Sequence, residues 1–282
     1  MIENKKVNNM TLQTKNVVVL NRDGGRSKLS CHDCTKASVC PAFSAGSMLR
    51  PGDSGAPIHR NVRPGQTIYN AGDEFRGFYM VKSGFFKSSF IDSDGVLQVT
   101  DFFFPGEMFG FDGIDGGQHN AIVEALDIGS VCKIPLALTG GRVGSLWNID
   151  TLVILLQTAS ESISRDREMM YALGKLSARR PFATFILDIS RRMARSGFGS
   201  DAFKLCMSRN DIANNLCLAV ETVSRLFTQF QNQGLIDVVR RDMRIIDRER
   251  LEMVAEREFD SEHLVCLGRQ VNASGSYQRG VY

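Results

Sequence analysis

The chain has 282 residues, enough for two domains with sizeable cores, and a formal net charge of +3 that permits nucleic acid as a partner without requiring it. Its N-terminus, Met1-Ile-Glu-Asn-Lys-Lys, has no apolar leader, and the longest apolar runs, Phe102 to Phe104 and Leu152 to Leu156, are far too short to cross a bilayer; no membrane partner and a cytoplasmic location are expected. In a reducing compartment seven cysteines point to metal or redox chemistry rather than structural disulfides, and four scattered histidines offer no convergent acid-base set for an enzyme.

Residues 1–30 are polar, with Asn21-Arg-Asp-Gly-Gly-Arg-Ser, and are expected to form a flexible tail. Residues 31–57 open on Cys31-His-Asp-Cys34-Thr-Lys-Ala-Ser-Val-Cys40, three thiols in ten residues, and close on the Gly-, Pro- and Ser-rich linker Ser44 to Pro57. A helix or strand cannot aim three thiols so spaced at one point, but a loop can. That is the arrangement of a metal or iron-sulfur site short of one ligand. A disulfide pair or small buried thiols is the plainer alternative.

Residues 58–149 read as a sensor domain. From Ile58 to Pro135, β-prone runs alternate with turn signals such as Ala71-Gly72-Asp73, Ser93-Asp94-Gly95 and Pro105-Gly106-Glu107. Strands are predicted at Phe78 to Val81, Phe85 to Ile91, Val96 to Phe104, Ala121 to Ala125 and Ser130 to Ile134, forming an antiparallel β-roll or jelly roll. Cys132, near the end of the last run, is the candidate fourth ligand, because a strand can hold one thiol rigidly while the arm brings the other three. The alternative is a small buried hydrophobe.

Residues 150–178 are predicted as one long helix, reaching from Asp150 to Ser177. Leu152, Leu156, Ala159, Ile163, Asp166, Met170 and Leu173 step by four and three, the spacing of a coiled-coil seam. Such a helix is about 40 Å long, ample for a homodimer interface; the alternative is a helix packed on its own domain. A carboxylate at Asp166 would face its own copy across a two-fold axis, leaving the dimer close to dissociation.

Residues 179–258 carry the second domain and residues 259–282 a tail. Pro181 suits the first turn of a helix running to about Ser196, with Phe182, Phe185, Ile186 and Ile189 on one face and Arg191, Arg192 and Arg195 near its end. Ser208 and Asp211 form a capping box for the next helix, a tight turn follows at Cys217-Leu218, and a second helix runs from Val220 to before Gly234. This is a helix-turn-helix with Glu221, Thr222, Ser224 and Arg225 exposed on the second helix. Leu235 to Val239 and Met243 to Ile246, separated by Arg240-Arg241-Asp242, form a basic-tipped wing, and a last helix starts at Arg248.

An α+β chain ordered as cysteine arm, β-roll, long dimerisation helix and C-terminal winged helix-turn-helix resembles the CRP/FNR family of bacterial transcription regulators, in particular its oxygen-sensing members. The most specific elements are the cysteine spacing with Ser130-Val-Cys132-Lys-Ile-Pro, Ile163-Ser-Arg-Asp166, and Val220-Glu-Thr-Val-Ser-Arg225. The resemblance implies that Cys31, Cys34, Cys40 and Cys132 ligate a 4Fe-4S cluster which oxygen converts or destroys, and that Asp166 keeps cluster-free protein monomeric. It puts Glu221, Ser224 and Arg225 on base edges of a half-site like TTGAT in an inverted repeat, and names RNA polymerase as a partner. Arg225 suits guanine O6 and N7, and Glu221 can accept from cytosine N4. Ser208, Arg209, Thr222, Arg240 and Arg241 are the candidates for phosphate contacts, which position without specifying. Relatives that bind cyclic AMP carry a Glu and, later, an Arg-Ser pair; Phe111 and His119-Asn120 stand there in this chain, so no cyclic nucleotide is expected. The helix-turn-helix turn, usually Gly, is Cys217. Two other readings compete: the same DNA reader with a zinc or thiol-based redox site, and an iron-sulfur electron-transfer enzyme.

Overall fold

A computed structural model of the protein describes residues 57–136, 138–139, 142–143, 149–174 and 177–256. Cys31, Cys34, Cys40, the two tails and the linker as far as residue 56 lie outside the described residues.

Among the described residues, the roll holds eight strands: β1 (Ile58–Val62), β2 (Thr67–Tyr69), β3 (Gly77–Ser83), β4 (Phe86–Ile91), β5 (Leu97–Phe103), β6 (Met108–Phe109), β7 (Ile122–Ala125) and β8 (Gly129–Pro135). They form two antiparallel sheets, ordered β1-β8-β3-β6 and β2-β7-β4-β5. All five predicted strands are present as β3, β4, β5, β7 and β8. The two shortest of the others, β2 and β6, have three and two residues, too few to show a period.

Alternation along β3 and β8 decides what each face of the first sheet covers. Tyr79, Val81 and Val131 point into the roll and pack with Val62, Tyr69, Phe86, Phe109 and Val123. Phe78, Met80 and Ile134 point the other way and pack with Phe75, Met108 and Leu155. Both faces of β3 are therefore buried, and its run reads as continuously apolar. Gly77 is required where β3 meets β8, because a Cβ there would collide with the Ile134 carbonyl.

Leu155 belongs to α1 (Ile149–Leu173), which lies against that outer face and is preceded by a short ribbon of β9 (Leu138–Thr139) and β10 (Arg142–Val143). The helix ends at Leu173, a turn before the predicted Ser177. Gly174 follows directly, and its backbone freedom makes helix continuation costly.

The second half comprises α2 (Arg179–Arg195), β11 (Ala202–Lys204), α3 (Arg209–Asn215), α4 (Val220–Asn232), β12 (Ile236–Val239), β13 (Asp242–Ile245) and α5 (Arg248–Glu256). Phe182 on α2 meets Phe227 and Phe230 on α4 edge-on, at centroid separations of 4.7 and 5.0 Å. Each such pair adds about 0.5–1.5 kcal/mol beyond the area it buries. The wing is a three-stranded sheet ordered β11-β13-β12, and β11, with only Phe203 turned inward, carries no readable period. The wing tip is Arg240-Arg241 alone. Asp242 pairs with Val239 on one side and Lys204 on the other, so the ladder takes it out of the loop.

One apolar core joins the halves: Val99, Phe102 and Phe104 from the roll pack in the same cluster as Phe182, Phe185, Ile186 and Ile189 of α2. A fully buried side chain of this size stabilises by about 1.5–3 kcal/mol, so the roll and the second domain are tied together by their packing.

Candidate functional site

Three surfaces carry the chemistry: the helix-turn-helix, the neighbourhood of Cys132, and the outer face of α1. In the first, the capping box forms as the sequence predicts, with Asp211 N–H donating to Ser208 Oγ at 3.1 Å and Ser208 N–H to Asp211 Oδ2 at 3.0 Å. Cys217 turns the chain with φ 54°, a left-handed backbone that glycine adopts without strain, and the substitution costs about 1 kcal/mol. On α4, Val223, Leu226, Phe227 and Phe230 are buried. That leaves Glu221, Ser224 and Arg225 exposed along the opposite side, with Thr222 half-buried beside them. This polar face on a rigid helix is open to a groove-sized partner. Arg240 and Arg241 are exposed at the wing tip. Arg209 is placed differently: its guanidinium lies over the Phe227 ring, 3.1 Å from the centroid, and burial lowers its pKa to about 10. Its cation is thus engaged with the core of the motif rather than standing free like the wing arginines.

Cys132 is half-buried on β8, between His59 on β1 and Met80 on β3, and on the same face as both. It packs on the cluster containing Met80, Ile134 and Leu155, so the thiol and α1 share one apolar contact region. Among the described residues no three His, Cys, Asp or Glu side chains gather at one metal position. Cys132 offers a single sulfur donor on a fixed strand, shielded on its apolar side. That fits a thiolate-bound iron-sulfur centre whose other ligands come from outside the described residues.

Along α1 the predicted seam separates into contact and exposure. Leu155 is 8% exposed against the roll, whereas Leu156 is 70% and Met170 72% exposed, and Leu152 and Ile163 also face outward. Ala159 and Leu173 are half-buried, and Asp166 is exposed. Although the residue as a whole is exposed, loss of water around its carboxyl pushes that group up, against the opposing pull of Arg165 and Arg192.

Arg192 is a site residue that sequence reasoning missed. Assigned above to a helix end, it is 3% exposed and sits where α2 meets the roll. Its Nε and Nη2 donate to Glu107 at 2.8 and 2.7 Å, and its Nη1 to Asp101 at 3.1 Å and Asp188 at 3.0 Å. It also donates to the Phe102 carbonyl and lies over the Phe104 ring. The spacing Phe185, Ile189, Arg192 puts it on the apolar face of α2, which was the available signal. Arg165 of α1 reaches Asp101 at 3.8 Å, so one charge network spans the roll, the long helix and the second domain. A further polar clasp joins β4 and β5 to α3: Lys87 to Asp211 at 2.8 Å, and Asn214 Nδ2 to the Leu97 carbonyl at 2.9 Å.

Residues 182–254 match a Crp-like helix-turn-helix domain and residues 59–138 a cyclic nucleotide-binding domain. Over 215 residues, 76% of this chain and 85% of the relative, the sequence is 36% identical to the fumarate and nitrate reduction regulatory protein of Salmonella typhi. The chain belongs to the CRP/FNR family of transcription regulators. It is 34% identical to the fumarate and nitrate reduction regulatory protein of Escherichia coli K12 over 82% of this chain and 92% of that one. It is also 33% identical to electron transport regulator A of Shewanella oneidensis, over 80% and 90%. FixK2 from Bradyrhizobium japonicum superposes with a TM-score of 0.59 at 27% identity, covering 70% of this chain and 96% of FixK2. A CRP-family regulator of Thermus thermophilus shares the fold, with a TM-score of 0.55 at 19% identity over 72% and 99%.

As a CRP/FNR regulator the protein binds DNA and is not an enzyme. In this member of the CRP/FNR family a cavity of about 630 Å³ lies between the roll and α1. Phe111 and Asp112 line it on the roll side, while His119 is buried behind them and stacks on Tyr69 at 3.6 Å. No helix among the described residues is long and apolar enough to cross a membrane.

Proposed function

We propose that this regulator responds to oxygen through a cluster held by Cys31, Cys34, Cys40 and Cys132, works as a homodimer in the cytoplasm, and acts with RNA polymerase at an inverted repeat. When bound, a 4Fe-4S cluster supplies an oxygen-labile centre that needs four thiolates. The observation that carries the proposal is the position of Cys132: its thiol packs on the cluster that seats Leu155 of α1. With Cys132 tethered to the arm, the outer face of the sheet and the helix on it are held together. With the tether lost, α1 keeps Leu155 on the roll, the Arg165 contact to Asp101 and its pairs to α2, Glu161 with Arg195 and Glu168 with Arg191.

The exposed Leu152, Leu156, Ile163 and Met170 are the surface for a second copy. Two Asp166 carboxylates meeting in that seam oppose association, since each is already disfavoured as an anion by its surroundings. Asp166→Ala is therefore expected to dimerise in air, with the dimer dissociation constant lowered at least tenfold, about 1.4 kcal/mol. Sedimentation that finds the variant still monomeric refutes the seam.

At the DNA, the proposal assigns Glu221, Ser224 and Arg225 to bases, and Ser208, Thr222, Arg240 and Arg241 to phosphates; Arg209 would have to leave the Phe227 ring to join them. Arg225→Ala is expected to lose about 1–3 kcal/mol of discrimination at one guanine. Binding to operators altered at each position measures this, and an equal loss on every sequence would show that Arg225 touches phosphate only.

A further inference from the structure

The loop from Phe111 to Ala121 closes around one side chain. Asp112 Oδ1 lies 3.1 Å from the Tyr69 hydroxyl, which donates to it, and 3.2 Å from His119 Nδ1. Its Oδ2 accepts the backbone N–H groups of Asn120 at 3.0 Å and Ala121 at 3.1 Å. Two adjacent backbone N–H groups, a phenol and an imidazole converging on one point make an anion cradle. Its walls are fixed: His119 is 3% exposed and stacked on Tyr69, and a Cβ at Gly113 would strike Phe75. Burial would push the Asp112 carboxyl up, but the bonds from His119, Tyr69 and Asn120 outweigh it and hold the group below the usual carboxylate range.

Asp112 also lines the 630 Å³ cavity between roll and α1. The other carboxylates around that cavity are Asp101, Glu107, Glu161 and Asp166. Its three arginines are each committed: Arg165 to Asp101, Arg192 to Glu107 and Arg195 to Glu161. Among the described residues, every arginine on the cavity wall already faces a carboxylate.

We infer that Asp112 is a built-in anion: it fills the roll's anion cradle, fixes the Phe111 to Ala121 loop without an effector, and bars small oxyanions, phosphate esters among them, from the cavity. It is thus the residue that sets the ligand specificity of this domain. The carboxylate supplies from within the chain the negative charge that the converging donors demand, so the roll is permanently in the filled state.

The test uses the full chain and measures melting temperature in inorganic phosphate or formate against chloride at matched ionic strength. Asp112→Ala empties the cradle and is expected to melt about 5–10 °C below the parent, with phosphate or formate recovering at least half of the loss. Mass action predicts that recovery for any ion bound by the folded chain alone. The parent and Asp112→Asn, whose cradles are filled, are expected not to respond. Asp112→Ser, whose single short hydroxyl cannot occupy both carboxylate oxygen positions, leaves the cradle open and gives the same comparison if the alanine chain does not fold. Equal anion effects on parent and emptied variants, or no effect on either emptied variant, overturn the inference.

Discussion

A Cys132→Ala chain is expected to emerge from anaerobic purification folded but colourless and monomeric. Cys132 is half-buried at the edge of its apolar cluster, so trimming it to alanine costs the fold about 1 kcal/mol or less. Its proposed thiolate has a much larger effect, because three cysteines on an arm cannot secure the centre or tie the arm to β8. With the dimer lost, each chain can present one α4 to one half-site, and affinity for the inverted repeat is expected to fall at least about 100-fold, toward the non-specific level. Sedimentation and operator titration, run on parent and variant side by side without oxygen, check this. A brown, dimeric Cys132→Ala protein would remove Cys132 from the ligand set and cut the proposed link between arm and helix.

Arg192→Ala is expected to be the most damaging substitution for stability. It leaves Asp101, Glu107 and Asp188 facing one another with their shared cation gone. Breaking such a buried set costs about 3–5 kcal/mol, a large part of the roughly 5–15 kcal/mol that holds a folded domain. Because Arg192 also ties α2 to β5 and to the turn at Glu107, the two halves are expected to unfold in separate steps. Arg192→Lys should rescue little, since one ammonium cannot serve Glu107 through two parallel bonds and reach two other carboxylates as well. Urea unfolding followed by circular dichroism checks both variants. A single transition at the parent's midpoint for Arg192→Ala would show that the network carries no net stability.

The elements with a strong period were legible in the sequence. The α2 face of Phe182, Phe185, Ile186 and Ile189, the Ser208 and Asp211 capping box and the turn at Cys217 are local signals and appear where they were read. The short strands β2, β6 and β11 were not legible, since two or three residues owe their pairing to neighbours rather than to their own pattern. The same holds for the candidate site. Arg225 and Glu221 could be placed from one helix, whereas Arg192 could not, because its partners Asp101 and Glu107 lie some ninety residues away and are joined to it by the packing of the halves. Asp112 escaped for a similar reason: a carboxylate in a loop looks like a turn residue until Tyr69, His119 and two backbone N–H groups are seen to point at it.

The packing joins the outer face of the roll to the DNA-binding helices through contiguous contacts. Leu155 joins α1 to the outer face of the roll, Arg165 and Arg192 join α1 and α2 through Asp101, and Phe102 and Phe104 share a core with the helix-turn-helix. No step in that chain needs a flexible linker. A change in how α1 meets its copy is passed on by close-packed groups that move together.

Iron, acid-labile sulfide and zinc measured per chain after strictly anaerobic purification test the central claim most directly. The account predicts a brown protein with about four irons and four sulfides per chain, the stoichiometry of the cluster type that four thiolates hold, and bleaching on exposure to air together with loss of the dimer. A colourless protein containing zinc, or one whose dimer is indifferent to air, would contradict it.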